Sequence, residues 1–290
     1  MNTILQVTWD VSPEMFSVGS LTLRYYGFLF VTGFIIGYFI LKRHFRIEGV
    51  SPDEVDNLTM FSFVVAVLAA RFGHVFFYEP AYYLANPSKI LRVWEGGVAS
   101  HGAVIGLLIF LWFYARKKRW KFLWILDRLT IPGALTAALV RIGNLMNSEI
   151  YGHLTDVSWG FRFVRSSDYV SMAETMFQKP IAEIPAASLP GMHPTQIYEA
   201  IAYVLVFAVL LMIYKRKKKE TPAGLLTSWF LIMLFGFRFL IEFMKEVQVS
   251  FEQDMLINMG QILSIPFVLT GIILLLNMKK LNRPVVKGKK

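Results

Sequence analysis

Seven stretches of this chain stay apolar for about the length of a lipid-spanning helix, and that pattern constrains the fold more than any short motif. A helix needs about 20 mostly apolar residues to cross the hydrocarbon layer. The candidates lie at roughly 21–41, 56–78, 98–115, 122–146, 196–214, 223–244 and 256–278. Breakers occupy the gaps: "SPDE" before the second, "NPSK" after it and "TPAG" before the sixth. In the fourth run, "DRLTIPG" puts Asp127, Arg128 and Pro132 in the first half. Pro132–Gly133 predicts a kink, with the freed carbonyls satisfied by neighbouring helices or water. No internal repeat or low-complexity linker interrupts the pattern. Composition agrees, since 17% of the residues are charged and 55% hydrophobic, against about 25% charged in soluble domains.

The net charge of +10 would suit a nucleic-acid partner only if the charges were gathered on one surface, and they are not. Lys42, Arg43 and Arg46 fill the first loop; Arg116, Lys117, Lys118, Arg119 and Lys121 the third; Lys215 to Lys219 the fifth. The tail carries Lys279, Lys280, Arg283, Lys287, Lys289 and Lys290, so these alternate segments hold 19 of the 30 Lys and Arg. Basic loops stay on the cytoplasmic side. The expected topology is therefore an all-α integral membrane protein with seven transmembrane helices, N-terminus outside and C-terminus cytoplasmic. The chain 1–290 reads as a single membrane domain, with 147–193 as a small outside head inserted between the fourth and fifth spans. The excess charge is then a topology signal plus attraction to anionic headgroups, and no nucleic-acid partner is expected. The N-terminal stretch has no Lys or Arg before Arg24, so a cleaved signal peptide is not expected. There is no cysteine, which excludes disulfides, thiolate metal sites and a cysteine nucleophile of the protein's own.

This topology brings the intramembrane polar residues to one side. Tyr26, Arg71, His74, His101, Arg141, Asn144, Arg238 and Glu242 all fall toward the outer ends of their spans. Glu149 lies just beyond the fourth span, and "HPTQIYE" opens the fifth with His193, Gln196, Tyr198 and Glu199. Each has a plain structural reading. Arg238 and Glu242 are spaced for an intrahelical ion pair, and Arg71 and His74 could snorkel to the headgroups. Tyr26, Tyr198 and Trp94 suit interfacial aromatics, and His101 suits a helix start. Together they resist that reading, because an arginine at mid-helix costs about 2.5–3.5 kcal/mol on insertion scales. Arg71, Arg141 and Arg238 should therefore face inward, and with few nearby carboxylates they leave room for an anion. Arg141, Asn144, Leu145, Ser148 and Gly152 share one face if the fourth helix continues. A guanidinium matches phosphate bidentately, and a lipid headgroup is the nearest abundant phosphate.

"RIGNLMNSEIYG", "RVWEGGVASHG", "HPTQIYE", "FRFLIEF" and "MGQILSIP", taken in that set, resemble the prolipoprotein diacylglyceryl transferase family from about Tyr25 to Pro266. The resemblance implies a bacterial inner-membrane enzyme with a periplasmic head. Such an enzyme moves the diacylglyceryl group of phosphatidylglycerol onto the lipobox cysteine of a prolipoprotein, leaving a thioether and glycerol 1-phosphate. It implies catalytic roles for His101, Arg141, Glu149, Arg238 and Glu242, and substrate binding by Tyr26, Asn144, Gly152 and Arg141. Three positions depart from the family pattern: Ala103 and Ser148 stand where glycine is usual, and Leu234 where tyrosine is expected.

The chemistry agrees with the residues. A thiol with a pKa of about 8.5 needs a base or positive field to attack at neutral pH, and the missing cysteine fits a nucleophile brought by the substrate. Arg141 and Arg238 can neutralise departing phosphate, while Glu149 and Glu242 orient them or assist the base. His101 is the first choice for proton transfer, with either glutamate as the alternative. No metal-ligand spacing or nucleotide loop is present, so no cofactor or metal is expected. A transporter would spread polar residues through both halves, usually with paired repeats. A lipid-binding scaffold would not need His101 and two arginines to converge.

Overall fold

The computed structural model describes residues 6–19, 21–92, 97, 99–245, 255 and 257–282. Trp94, Asp254, the centre of "RVWEGGVASHG" and the last four basic residues of the tail lie outside the described residues. The body is a helix bundle: α1 Tyr25–Ile47, α2 Pro52–Phe77, a short α3 Pro80–Ala85, α4 Ser100–Lys118 and α5 Phe122–Met146. After the head segment with α6 Ser167–Phe177 come α7 Thr195–Lys217, α8 Leu225–Ile241, α9 Met259–Leu276 and a terminal turn, α10 Met278–Leu281.

Local chemistry marks several ends. Ser51 caps α2 ahead of Pro52, with Asp53 and Glu54 in its first turn, where the helix dipole favours anions. Asn258 and Gln261 form a reciprocal capping box at the start of α9. Lysine and arginine fill the last turns of α4 and α7.

Among the described residues, six helical segments are long and apolar enough to cross a membrane: Tyr25–Ile47, Pro52–Phe77, Phe122–Met146, Thr195–Glu220, Leu225–Met244 and Met259–Leu276. The protein is therefore a multi-spanning membrane protein of mainly α structure. The third expected span, α4, falls short because His101 and Gly102 at one end and Arg116–Lys118 at the other leave a short apolar middle.

Helix α4 packs antiparallel to α2 through small residues. A Cβ on Gly102 would run into the Ala69 carbonyl and come within 2.9 Å of Gly73 Cα, so glycine permits the close backbone approach found between membrane helices. Helices α1, α5, α7, α8 and α9 form the remaining chain of neighbours.

At one end of the bundle the charges of "DRLTIPG" are buried and satisfied. Arg128 grips Glu48 through two aligned bonds of 3.0 and 2.8 Å. Tyr214 and Trp124 also donate to Glu48, each at 2.8 Å. Asp127 accepts from the backbone of Gly224 and from both the backbone and hydroxyl of Thr227. Pro132 stands inside α5, facing Gly37 of α1.

The opposite end carries a feature the sequence reading did not specify, a small amount of β structure. Short strands β1 Val7–Thr8, β4 Leu154–Thr155, β5 Phe161–Arg162 and β6 Gly191–Met192 pair in the order β1-β5-β6-β4. A hairpin, β2 Glu14–Val18 with β3 Leu21–Arg24, leads into α1. The N-terminal strand thus joins residues from the 147–193 segment, and Trp9 donates its indole N–H to the Leu145 carbonyl at 2.9 Å. Leu145, Phe163, Tyr169 and Met192 form the core beneath. Burial against this core pushes the Tyr169 phenol up to about 12.

Candidate functional site

At the head end of the bundle, α5, α7 and α8 deliver charges to one point. Arg141 near the end of α5 meets Glu199 in the first turns of α7, Nη2 to Oε1, at 3.2 Å. Lys245, just past α8, lies 3.1 Å from the same oxygen and 3.4 Å from Glu242. Tyr203, one turn along α7, donates its hydroxyl to Glu199 Oε1 at 3.2 Å, and its ring lies 5.9 Å from the Arg141 guanidinium. Arg238 is within electrostatic range of both Tyr203 and Lys245. Glu242 is not paired with Arg238 as the i, i+4 spacing allowed; its cationic partner is Lys245.

Three cations, Arg141, Arg238 and Lys245, therefore face two carboxylates, Glu199 and Glu242. The expectation of few nearby carboxylates understated the site, because Glu199 is fully buried beside Arg141. Among the described residues the balance still leaves one positive charge. Arg141 also differs from Arg128: it lacks the aligned two-pronged grip on its carboxylate, and its side chain is 12% exposed where that of Arg128 is 0%.

The residues after Arg141 fold back over the cluster. Helix α5 stops at Met146, and Ser148 and Ile150 take positive φ values of 54° and 60°. The face expected to run on to Gly152 is broken here, because left-handed backbone cannot continue a right-handed helix. Ser148 occupies the position where the resembling family usually has glycine, the residue that adopts this conformation without cost. The turn places Glu149 where Asn144 and Asn147 donate to its Oε1 at 2.7 and 3.2 Å. Gln196 of α7 holds the Glu149 carbonyl at 2.7 Å.

Gly152 then pairs with Lys245 in an isolated antiparallel bridge. Its N–H donates to His193 O at 2.8 Å, and His153 N–H donates to Met244 O at 2.8 Å. A Cβ on Gly152 would strike the Met244 carbonyl, and one on Gly260 would strike the Glu242 carboxylate. Both glycines are there to admit a neighbour. Burial, and then the nearby His153, hold the His193 ring below its ordinary pKa of 6.5.

Tyr26 lies in the first turn of α1. It packs on Gly143, where a Cβ would come within 2.8 Å of the ring. His101 is not brought to the cluster: it sits exposed in the first turn of α4 and makes no hydrogen bond, ion pair or ring contact with another described residue. Arg71 also stays apart. It is buried and, among the described residues, donates to the carbonyls of Lys89, Ile90 and Gly97, with Tyr83 beneath its guanidinium. His74 lies 3.9 Å from Glu79 and stacks on Tyr78.

The sequence reading missed the roles of Lys245 and Tyr203 and the pairing of Glu199. Their signals were present but weak: Tyr203 follows Glu199 by one helical turn, and Lys245 follows Glu242 by three residues. Leu234, where a tyrosine was expected, is buried against Ala138, Ala202 and Tyr203.

Comparison with known proteins gives a consistent result. The family model "Prolipoprotein diacylglyceryl transferase" matches residues 13–277. A phosphatidylglycerol–prolipoprotein diacylglyceryl transferase of Porphyromonas gingivalis is 44% identical over 281 residues, covering 94% of this chain and 95% of that protein. Proteins of the same name from Tolumonas auensis and Geobacter sulfurreducens are 43% and 33% identical, and the alignments cover 92% and 90% of this chain and 96% and 93% of theirs. With nearly the whole chain matched, this membrane protein belongs to the prolipoprotein diacylglyceryl transferase family of transferases.

Proposed function

We propose that this chain transfers the sn-1,2-diacylglyceryl group of phosphatidylglycerol to the thiol of the lipobox cysteine in a prolipoprotein, the first step of bacterial lipoprotein maturation. The observation that carries this reading is the surplus cation among the described residues of the Arg141–Glu199 cluster, beside an apolar groove lined by the same two helices. That groove, about 310 Å³, is lined by Leu135, Ala138, Leu139, Ile142, Ala200 and Val204, among others. Ile142 adjoins Arg141 and Ala200 adjoins Glu199 in sequence. An anionic headgroup joined to an acyl chain fits that juxtaposition of charge and hydrocarbon.

In the reaction the cysteine sulfur attacks the glyceryl carbon and a C–S bond forms. The C–O bond to phosphate breaks, the electron pair leaves on the phosphate oxygen, and glycerol 1-phosphate departs. Arg141, Arg238 and Lys245 stabilise the charge that gathers there, which is the electrostatic part of the catalysis. Tyr203 and Glu199 position Arg141, and Gly260 gives Glu242 its place beside Lys245. Asn144, Gly152 and Tyr26 shape the lipid-binding side of the site. We place the thiol's proton on Glu149, whose Oε1 is held by two amides while Oε2 remains as acceptor. His101, on the neighbouring α4, is the competing acceptor. Comparing the pH–rate profiles of Glu149→Gln and His101→Gln separates the two.

The same reading makes α4 the seventh span, since it packs antiparallel along α2 between two full-length spans. Residues 42–46, 116–121 and 215–219 all gather at the bundle end opposite Arg141, so this end faces the cytoplasm by the positive-inside rule. The head and the site then face the periplasm across the inner membrane. The deciding experiment gives the purified chain phosphatidylglycerol and a lipobox peptide and weighs the peptide by mass spectrometry. The expected mass gain is one diacylglyceryl group on the cysteine, and an unchanged peptide would refute the proposal.

A further inference from the structure

A second cavity, of about 700 Å³, has Glu149 in its wall but none of Arg141, Glu199, Arg238, Glu242 and Lys245. One wall is the turn from Asn147 to Tyr151; the other is the first turns of α6, with Arg165, Ser167, Asp168 and Met172. The volume is within the usual range for a ligand pocket.

Its chemistry differs from that of the cation cluster. Glu149 and Asp168 contribute two carboxylates, and the only cation of the lining, Arg165, is tied to Asp10 at 2.7 Å. Asp168 already complements the N-terminus of α6. Asn147 is engaged with Glu149, to which it donates its amide N–H at 3.2 Å. This acceptor-rich, net negative space repels a phosphate and favours a ligand that brings N–H donors. Met172 adds an adaptable apolar contact for side chains of varied shape. A peptide main chain has these properties and a phosphatidylglycerol headgroup, which has no N–H, does not.

We propose that this cavity holds the main-chain segment immediately following the modified cysteine of the prolipoprotein. The proposal rests on the transfer reading above, which already places the thiol beside Glu149. The apolar segment before the cysteine lies among the helices, so the chain after it must leave on the water side of Glu149. There the cavity is next to it.

The test uses the full-length protein in lipid nanodiscs with phosphatidylglycerol and two lipobox peptides. One peptide ends one residue after the cysteine and the other continues for several more. The unaltered protein should show a lower KM for the long peptide than for the short one. Ser167→Trp, which puts bulk on an exposed wall position, should raise KM for the long peptide roughly tenfold, about the effect of losing a hydrogen bond to a charged group. KM for the short peptide and for phosphatidylglycerol should stay within about twofold, well below that loss. Asp168→Asn, a near-isosteric change, should raise the long-peptide KM by a smaller factor in the same direction. In addition, a photo-crosslinker placed just after the cysteine should label residues 165–172. Equal KM for the two peptides with the unaltered protein, or a rise confined to phosphatidylglycerol in either variant, would overturn the assignment. Transfer to neither peptide by the unaltered protein would instead refute the transfer reading itself, and the cavity's role with it.

Discussion

Arg141→Lys separates two roles that the structure leaves side by side. Arg141 sits 3.2 Å from Glu199, so it could serve only to neutralise a buried carboxylate. Lys245 already stands 3.1 Å from that same oxygen, which makes a second point charge largely redundant for neutralisation. On that view a lysine at 141 would cost little. If the planar fork holds the lipid phosphate, lysine keeps the charge but loses the bidentate match. Hydrogen bonds to charged groups are worth about 1.5–3 kcal/mol each, and 2.7 kcal/mol is about a hundredfold in rate. The expected result is therefore a loss of roughly 10²-fold or more, the scale seen on removing one key electrostatic donor, with insertion and folding retained. Initial rates of diacylglyceryl transfer to a lipobox peptide, at matched amounts of folded protein, measure it. Activity within about threefold of the unaltered protein, far from that donor scale, would remove Arg141 from the phosphate-binding machinery.

Gly260→Ala should lower transfer by about tenfold, because its Cβ displaces the Glu242 carboxylate at an overpacking cost of about 1–3 kcal/mol. Gly133→Ala, with open space around the new methyl, is the control and should leave the rate unchanged. Arg128→Ala strands Glu48 in the interior and should cost about 3–5 kcal/mol of stability, read as an earlier thermal unfolding transition. Activity per folded molecule should survive, since the pair lies at the other end of the bundle. Reporter fusions after Ile47, Lys118 and Lys218 should read cytoplasmic, and fusions near Ser88 and Val170 external; an external reading after Lys218 reverses the topology. Because His193 has its pKa held below 6.5 in the folded head, its contribution to stability is full above about pH 6.5 and is lost as pH falls through the folded value. Proteolytic nicking of the head should therefore rise on acidification, and His193→Gln should flatten that response.

The spans could be read from the sequence because hydropathy is additive along the chain, and the buried Asp127 and Arg128 did not hide the fourth one. The third is the marginal one, since an apolar tally does not weigh the polar ends that shorten the apolar middle of α4. Arg141, Asn144, Glu149 and Glu242 stood out because charges and amides are costly in hydrocarbon. Lys245 did not, because a lysine at a span's end looks like any interfacial lysine until the chain doubles back on it. Arg71 is a related case: cost in hydrocarbon signals that an arginine needs partners, but not that backbone carbonyls such as those of Lys89, Ile90 and Gly97 are among them. The left-handed turn at Ser148 and Ile150 was invisible to helical periodicity, which carries the 141-to-152 face straight through it. The short strands were missed because two-residue ladders, one of them involving the N-terminus, carry no alternation to detect.

Main-chain bonds tie residues 152 and 153 to residue 193 on one side and to residues 244 and 245 on the other. Three regions distant in sequence thus meet in a knot whose bonds do not depend on side-chain identity. Side chains around the knot can change without moving the backbone that aims them. A lineage can therefore shift its preference among lipids or peptides by ordinary point mutation, and a designer can do the same. The glycine at 152 is the exception, because a methyl there strikes the Met244 carbonyl and opens the knot itself.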